Sequence, residues 1–264
     1  MHNAIRRYGG ILLALAILAP LAGDQKVVLN YPKQHAVVDW TSGYATVEGY
    51  APLSKNPGAS AIRKAQAAAL ASARQNVVAL AGAIVPIAGD NQRRKAMDAS
   101  VRQLAGKLKA VSQKRLPNDR YQVTLRVPLL GKNGLSGVLS PHLRRKSPFV
   151  PAKKLAIASR DLPSTTGEED LLTKADATGP FTGLIVDARG FGVQNSMSPV
   201  VYDPANKPLY SGSFADADYV EDVGVVGYMG SIKAAMATPR VGKNPLVLRA
   251  AGTPDQFKRC VSLT

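Results

Sequence analysis

The chain has 264 residues, with 34 Lys and Arg, 18 Asp and Glu, three His and one Cys. That length can bury a sizeable core in one or two domains. A single cysteine excludes an intrachain disulfide framework, and the few scattered His and Cys cannot supply the four ligands of a structural zinc site.

The net charge of +16 is uneven. From Asp24 to Leu155 there are 22 Lys and Arg against 6 Asp and Glu; from Ala156 to Thr264 there are 10 against 12. The basicity therefore belongs to the first half. Such asymmetry predicts two domains and an acidic partner for one of them.

Residues 1–10 carry Arg6 and Arg7 and no acid, and Ile11 to Gly23 is an uncharged apolar run. This run falls short of the ~20 residues a bilayer requires. A basic start, a short apolar stretch and small residues at Ala22 and Gly23 read as a secretory signal peptide over residues 1–23. The alternatives are an uncleaved anchor or a buried helix. The signal peptide predicts an exported protein, periplasmic or extracellular. No later segment is expected to be long and apolar enough to cross a membrane. No cysteine stands directly after the leader, so acylation at a mature N-terminal cysteine is not expected. Cys260 reads as a small hydrophobe in a terminal strand or as half of an intermolecular disulfide.

Val37, Val38 and Trp40, the turn Thr41-Ser42-Gly43 and the strand Tyr44–Ala51 predict a hairpin. After Pro57-Gly58 an alanine-rich helix begins. Its stripe is Ile62, Ala65, Ala69, Ala73, Val77, Leu80 and Ile84, spaced by three or four residues. Alanine on that face lets a helix approach a sheet closely. Pro86 and Gly89 end the helix, and Asp90 is a candidate N-cap for a second. The second helix carries Met97, Val101, Leu104 and Leu108 on one face. Val111–Arg115 and the alternating Tyr121, Val123, Leu125 and Val127 read as strands around a Pro117-Asn118-Asp119 turn. Residues 24–143 thus form a basic domain with two helices against an antiparallel sheet.

Residues 144–180 read as linker and loop, opening on the basic, proline-containing RRKSPFVPAKK. A short helix is expected near Glu168. Residues 181–264 form a strand-rich domain, with strands at Leu184–Val186, Val200–Tyr202, Leu209–Tyr210, Gly224–Tyr228, Leu246–Leu248 and Cys260–Leu263. Asp203-Pro204-Ala205-Asn206 is a hairpin turn, and Ser231–Ala237 a short helix stopped by Pro239. The fold class is α+β: helices packed on an antiparallel sheet, followed by a strand-rich second domain.

The inventory of chemistry argues against an enzyme. His2 lies in the leader, and neither His35 nor His142 has another metal-ligand type at useful spacing. There is no Gly-x-Ser-x-Gly elbow. Gly190-Phe191-Gly192 follows a strand, but Asn195 stands where a dinucleotide loop needs its third glycine. No catalytic residue, metal or cofactor is expected. Two polar groups remain. Asp187 and Arg189 at a strand end read as a recognition site or as a structural ion pair. Arg93, Arg94, Lys95, Arg102, Lys107 and Lys109 surround the second helix's apolar stripe and read as a solvated face or as an anion-binding surface. Export makes nucleic acid an unexpected partner.

Three segments together carry a resemblance: VVDWTSGYATVEGYA with AIRKAQAAALASARQNVVALAG; RVPLLGKNGLSGVLSP; and TGLIVDARGFGVQNSMSPVVYD with VGYMGSIKAAMATPRVGKNPLVLRA. This pattern resembles the LPP-twenty lipoprotein family, which includes FlgP-like bacterial envelope proteins. The resemblance implies an α/β envelope domain without enzyme activity that assembles into rings or discs. The family's lipid-bearing cysteine is missing here. The expected function is a non-enzymatic scaffold or assembly component acting through other envelope proteins or self-association. The alternative is a module whose basic domain holds an anionic envelope polymer.

Overall fold

The computed structural model describes residues 14–18, 26–85, 91–142, 168–172, 179–203, 205, 207–253 and 260–263. In chain order the strands and helices are β1 (Ala14–Leu18), β2 (Val28–Tyr31), β3 (Ala36–Asp39), β4 (Tyr44–Pro52), α1 (Ala59–Ile84), α2 (Asn91–Lys107), β5 (Ala110–Leu116), β6 (Arg120–Pro128) and α3 (Leu135–Leu139). They continue with β7 (Gly183–Asp187), β8 (Val200–Tyr202), β9 (Pro208–Tyr210), α4 (Ala217–Val223), β10 (Val226–Met229), α5 (Ile232–Met236), β11 (Pro245–Gly252) and β12 (Cys260–Leu263). The fold is α+β. The chain divides into two compact units: a basic unit, Val28–Arg144 with Ala215–Gly224, and a second unit, Met1–Val27 with Arg145–Phe214 and Val225–Thr264.

The basic unit holds a sheet of order β2-β3-β4-β6-β5 with every neighbouring pair antiparallel. Alternation places Ala45, Val47, Gly49 and Ala51 of β4 and Val123, Leu125 and Val127 of β6 on one buried face. On it lies α1, whose Ala65, Ala69, Ala73, Val77, Leu80 and Ile84 are buried. Burying each larger aliphatic side chain stabilises by about 1.5–3 kcal/mol. Ile62, expected on the same stripe, stands 36% exposed, so the covered face begins one step later at Ala65. The helix stops two residues before Pro86. Val85 is extended, with φ −120° and ψ 104°, the conformation that a following proline imposes. The expected breaker Gly89 and cap Asp90 fall outside the described residues.

Close packing decides this layer. A Cβ on Gly49 would lie 2.6 Å from Ala73 Cα and nearer still to Ala73 N and Ala69 O. Only glycine on the strand and alanine on the helix permit that approach. α2 packs on α1 and buries Met97, Val101, Leu104 and Ala105. Leu108, expected on this stripe, lies past the helix end and is half-buried. The short α3 meets α4, an acidic helix from far along the chain. There Glu221 O accepts from Gly131 N at 2.7 Å and from Ser136 Oγ at 2.6 Å.

One sequence expectation needs correcting. α1, at 26 residues with a mean hydropathy of 1.2 in its most apolar window, is long and apolar enough to cross a membrane. In this structure its stripe is packed on the sheet.

The second unit is built on a sheet of order β10-β1-β7-β11-β12-β8-β9. β10, β1, β7 and β11 run parallel, as do β12 and β8; β11–β12 and β8–β9 are antiparallel. β7 is buried throughout, as the middle of a parallel sheet requires. Ile185, Ile232, Ala235, Val241 and Val247 form a core with Leu171, Leu172 and Met229 against it. A short 3-10 turn, Glu169–Leu171, stands near the expected helix at Glu168. β1 comes from the run read as a leader. An uncharged aliphatic pentapeptide fits both a leader and a buried parallel strand, so composition does not separate them. Most of the segment 144–180 and the Cys260 side chain lie outside the described residues.

Adding bulk under α1 should therefore be costly. Ala69→Leu and Ala73→Leu should each destabilise by about 1–3 kcal/mol, with Gly49→Ala at the upper end, because its clash is with backbone. Denaturant unfolding of the purified variants checks this, and three wild-type midpoints would refute the packing.

Candidate functional site

The most buried polar cluster stands at the carboxyl end of β7. Asp187 is 2% exposed and Arg189 is 9% exposed. Arg189 Nε and Nη2 donate to the two Asp187 oxygens at 2.8 and 2.9 Å, a planar two-point pairing. Its backbone N also donates to Asp187 Oδ1, at 3.1 Å. Arg189 Nη1 donates to Glu168 Oε2 at 2.8 Å. Glu168 also accepts from Ile232 N at 3.2 Å and Lys233 N at 3.3 Å, at the start of α5. Ser231 Oγ accepts from Ala234 N there, at 3.1 Å.

The electrostatics follow from these contacts. Burial pushes the Glu168 carboxyl up, but the Ile232 amide, the Arg189 guanidinium and the Lys233 amide outweigh it, and the net shift is downward. Hydrogen bonds to Asp187 lead in holding Arg189 above its usual value; burial opposes them and Glu168 adds to them. The three guanidinium nitrogens are thus committed to protein carboxylates. The arrangement ties β7, the segment before the 3-10 turn and α5 together.

A neighbouring feature escaped the sequence reading. Tyr228, 2% exposed on β10, donates to Ser196 O at 2.8 Å and accepts from Ser196 N at 2.7 Å. Beside it, Asn195 is 2% exposed, and both its amide atoms lack a hydrogen-bond partner. In the sequence Asn195 figured only as the residue replacing a loop glycine. Nothing in the local sequence pattern marks it as buried.

The basic candidates lie in the other unit. Arg94, Lys95, Arg102, Lys107 and Lys109 are exposed, and Arg93 is half-buried. Lys95 and Arg102 are seven residues apart on α2 and share its outer face. Lys109 follows the helix end. The sheet face turned away from α1 carries a second basic group that the sequence reading did not single out. Arg126 stacks over Tyr44 at 3.9 Å, and Arg120 over Tyr50 at 4.3 Å. His35 meets Tyr50 edge-on at 5.4 Å. Tyr50 Oη donates to Glu48 and accepts from Gln122 Nε2, the latter at 3.2 Å. Burial, then Glu48, holds the Tyr50 hydroxyl above its usual pKa, so it stays a donor. The signal for this face was the set of polar positions alternating with the core along β4 and β6.

His142 lies in a 3-10 turn, Ser140–His142, with its Nε2 3.0 Å from Ser100 Oγ. Ser100 Oγ also meets Ala96 O at 3.1 Å, so the serine ties the turn to α2. Among the described residues, no group of three or more His, Cys, Asp or Glu could hold a metal ion.

Residues 183–261 match the family model described as the second domain of Treponema pallidum Tp0624. The match covers β7, β8, β10 and β11, the Asp187–Arg189 pair, Asn195 and Tyr228, but not β1, and less than a third of the chain. It spans nearly all of the last of the segments that resemble LPP-twenty proteins, and it names a different family. No curated protein matches the chain.

Because Glu168 is depressed below its ordinary carboxyl value of 4.5, its contribution to stability is present above that pH and lost as pH falls through the folded-state value. Acid unfolding followed by circular dichroism should be shallower in Glu168→Gln. Arg189→Met should cost about 3–5 kcal/mol at neutral pH, since it strands Asp187 without its buried partner. An Arg189→Met protein that melts like wild type would contradict the structural role of the cluster.

Proposed function

We propose that this chain is an exported, non-enzymatic envelope protein that acts as a scaffold or assembly component through protein contacts. The observation that carries the reading is the closure of the Asp187–Arg189–Glu168 cluster. The best-placed polar side chains for chemistry are spent on one another at 2.8–2.9 Å. Catalytic groups need a free lone pair, proton or charge directed at substrate. The basic start followed by an apolar run supports export. The match to the Tp0624 second domain and the resemblance to LPP-twenty proteins support an envelope setting.

A second reading rests on the five exposed cations along and just beyond α2 and the two Arg–Tyr stacks on the open sheet face. In it, the basic unit holds an anionic envelope polymer. Such binding is a sum of screened contacts, and the Debye length falls from about 8 Å at physiological salt to about 3 Å at 1 M.

Light scattering on the exported protein at several concentrations, at low and high salt, separates the two readings. The scaffold reading expects assemblies that persist at high salt, or a stably co-purifying envelope protein. A salt-resistant monomer without partner would contradict it. The polymer reading expects acidic polymer to bind at low salt and release at high salt. Arg94→Glu, Arg102→Glu and Lys109→Glu together should weaken that binding, with stability changes within about 0.5 kcal/mol for each surface substitution.

A further inference from the structure

We infer that removal of the leader opens a strand-wide slot in the parallel sheet, and that this slot docks an extended aliphatic segment of a partner protein. The inference rests on the export reading above. β1 is held on both edges. Leu15, Ala16, Ile17 and Leu18 pair with Val226, Gly227, Tyr228 and Met229 of β10. Ala14, Leu15, Ala16 and Ile17 pair with Gly183, Leu184, Ile185 and Val186 of β7. The run is parallel and unbroken against both neighbours. It belongs to the segment that a cut near Gly23 or Asp24 would remove.

Cleavage there takes away the only strand between β7 and β10. The facing N–H and C=O groups of both strands then lose their partners. β7 is buried along its whole length while β1 is in place, and backbone groups left unpaired at the edge of a sheet are costly until an incoming strand pairs them. Neighbouring strands lie about 4.8 Å apart, so a missing strand leaves β7 and β10 roughly twice that distance from each other. Two exposed edges facing one another form a template for strand addition.

β1 itself shows what the slot accepts: about five uncharged residues, ALAIL here, running parallel to β7 and β10. Among the described residues, every other aliphatic strand is already paired in a sheet. The occupant that fits is a segment of another protein, extended, aliphatic and uncharged as β1 is. Its backbone supplies the hydrogen bonds, and its small and branched side chains fill alternate sides of the sheet.

The test uses the protein purified from the exported fraction, with its N-terminus determined by mass. The probe is a synthetic peptide carrying residues 12–19 with a lysine tail for solubility. The control peptide carries Leu15→Pro and Ala16→Pro, which together remove one donor toward each neighbour. The expected result is a chain lacking residues 1–22 or 1–23 that binds the probe and not the control. Its melting temperature should rise by about 5–10 °C at roughly one hundred times Kd. Retention of Met1 in the exported protein would overturn both the export reading and the slot. A cleaved protein that ignores the probe would overturn the slot alone. A concentration-dependent dimer that the probe dissolves would overturn the partner assignment in favour of a second copy.

Discussion

In each unit a central strand must be hydrogen-bonded on both edges while the backbone of a covering element lies against its face. Both units meet that constraint with a glycine. In the basic unit it is Gly49 on β4, beneath Ala69 and Ala73 of α1. In the second unit it is Gly183 on β7, where a Cβ would come within 2.6 Å of Val241 O and 2.7 Å of Val241 Cα. Thr182 Oγ1 donates to the same Val241 carbonyl at 2.8 Å. The core around each contact follows from this spacing: α1 lies low enough to bury its stripe, and Val241 reaches Ile185 and Ile232.

Polar groups in the second unit are fixed by the same economy of space. Asp187 ends the strand that Gly183 begins, and its carboxylate is buried before it can reach water. Arg189, two residues on, folds back over it and takes Glu168 as a further partner. A lone buried carboxylate there would be strongly destabilising, and pairing with the Arg189 guanidinium offsets part of that cost. The result is a rigid end to the central strand.

The sequence was most readable where a regular pattern ran long. The 26-residue α1, with alanine at 65, 69 and 73, announces both its helix and its close approach to a sheet. The alternation from Tyr121 to Val127 likewise marks β6. Short elements were not readable. α4 has seven residues and buries only Val220, so no period develops, and the sequence reading assigned no element there. The order of the second sheet was hidden too, because β7, β10 and β11 meet only after long excursions of the chain. Of the candidate sites, the Asp187–Arg189 pair was visible as adjacent opposite charges. Glu168 and the Arg–Tyr stacks needed the tertiary fold, since each depends on a partner far away in sequence, and Asn195 carried no local sign of its burial.

The leader is the place where two physical readings of one segment meet. The apolar run that the sequence reads as an export signal also satisfies the needs of a parallel strand, and β1 occupies that place between β7 and β10. The account holds that the sheet is complete before cleavage and open after it. Native-state hydrogen exchange, resolved over Gly183–Asp187 and Val226–Met229 in the uncleaved chain and in the exported protein, tests this most directly. The account predicts slow exchange of those amides while β1 is present, and faster exchange on the edges facing the gap once it is gone. Equal protection in the two forms would contradict it, because it would mean that β7 and β10 never depended on the leader.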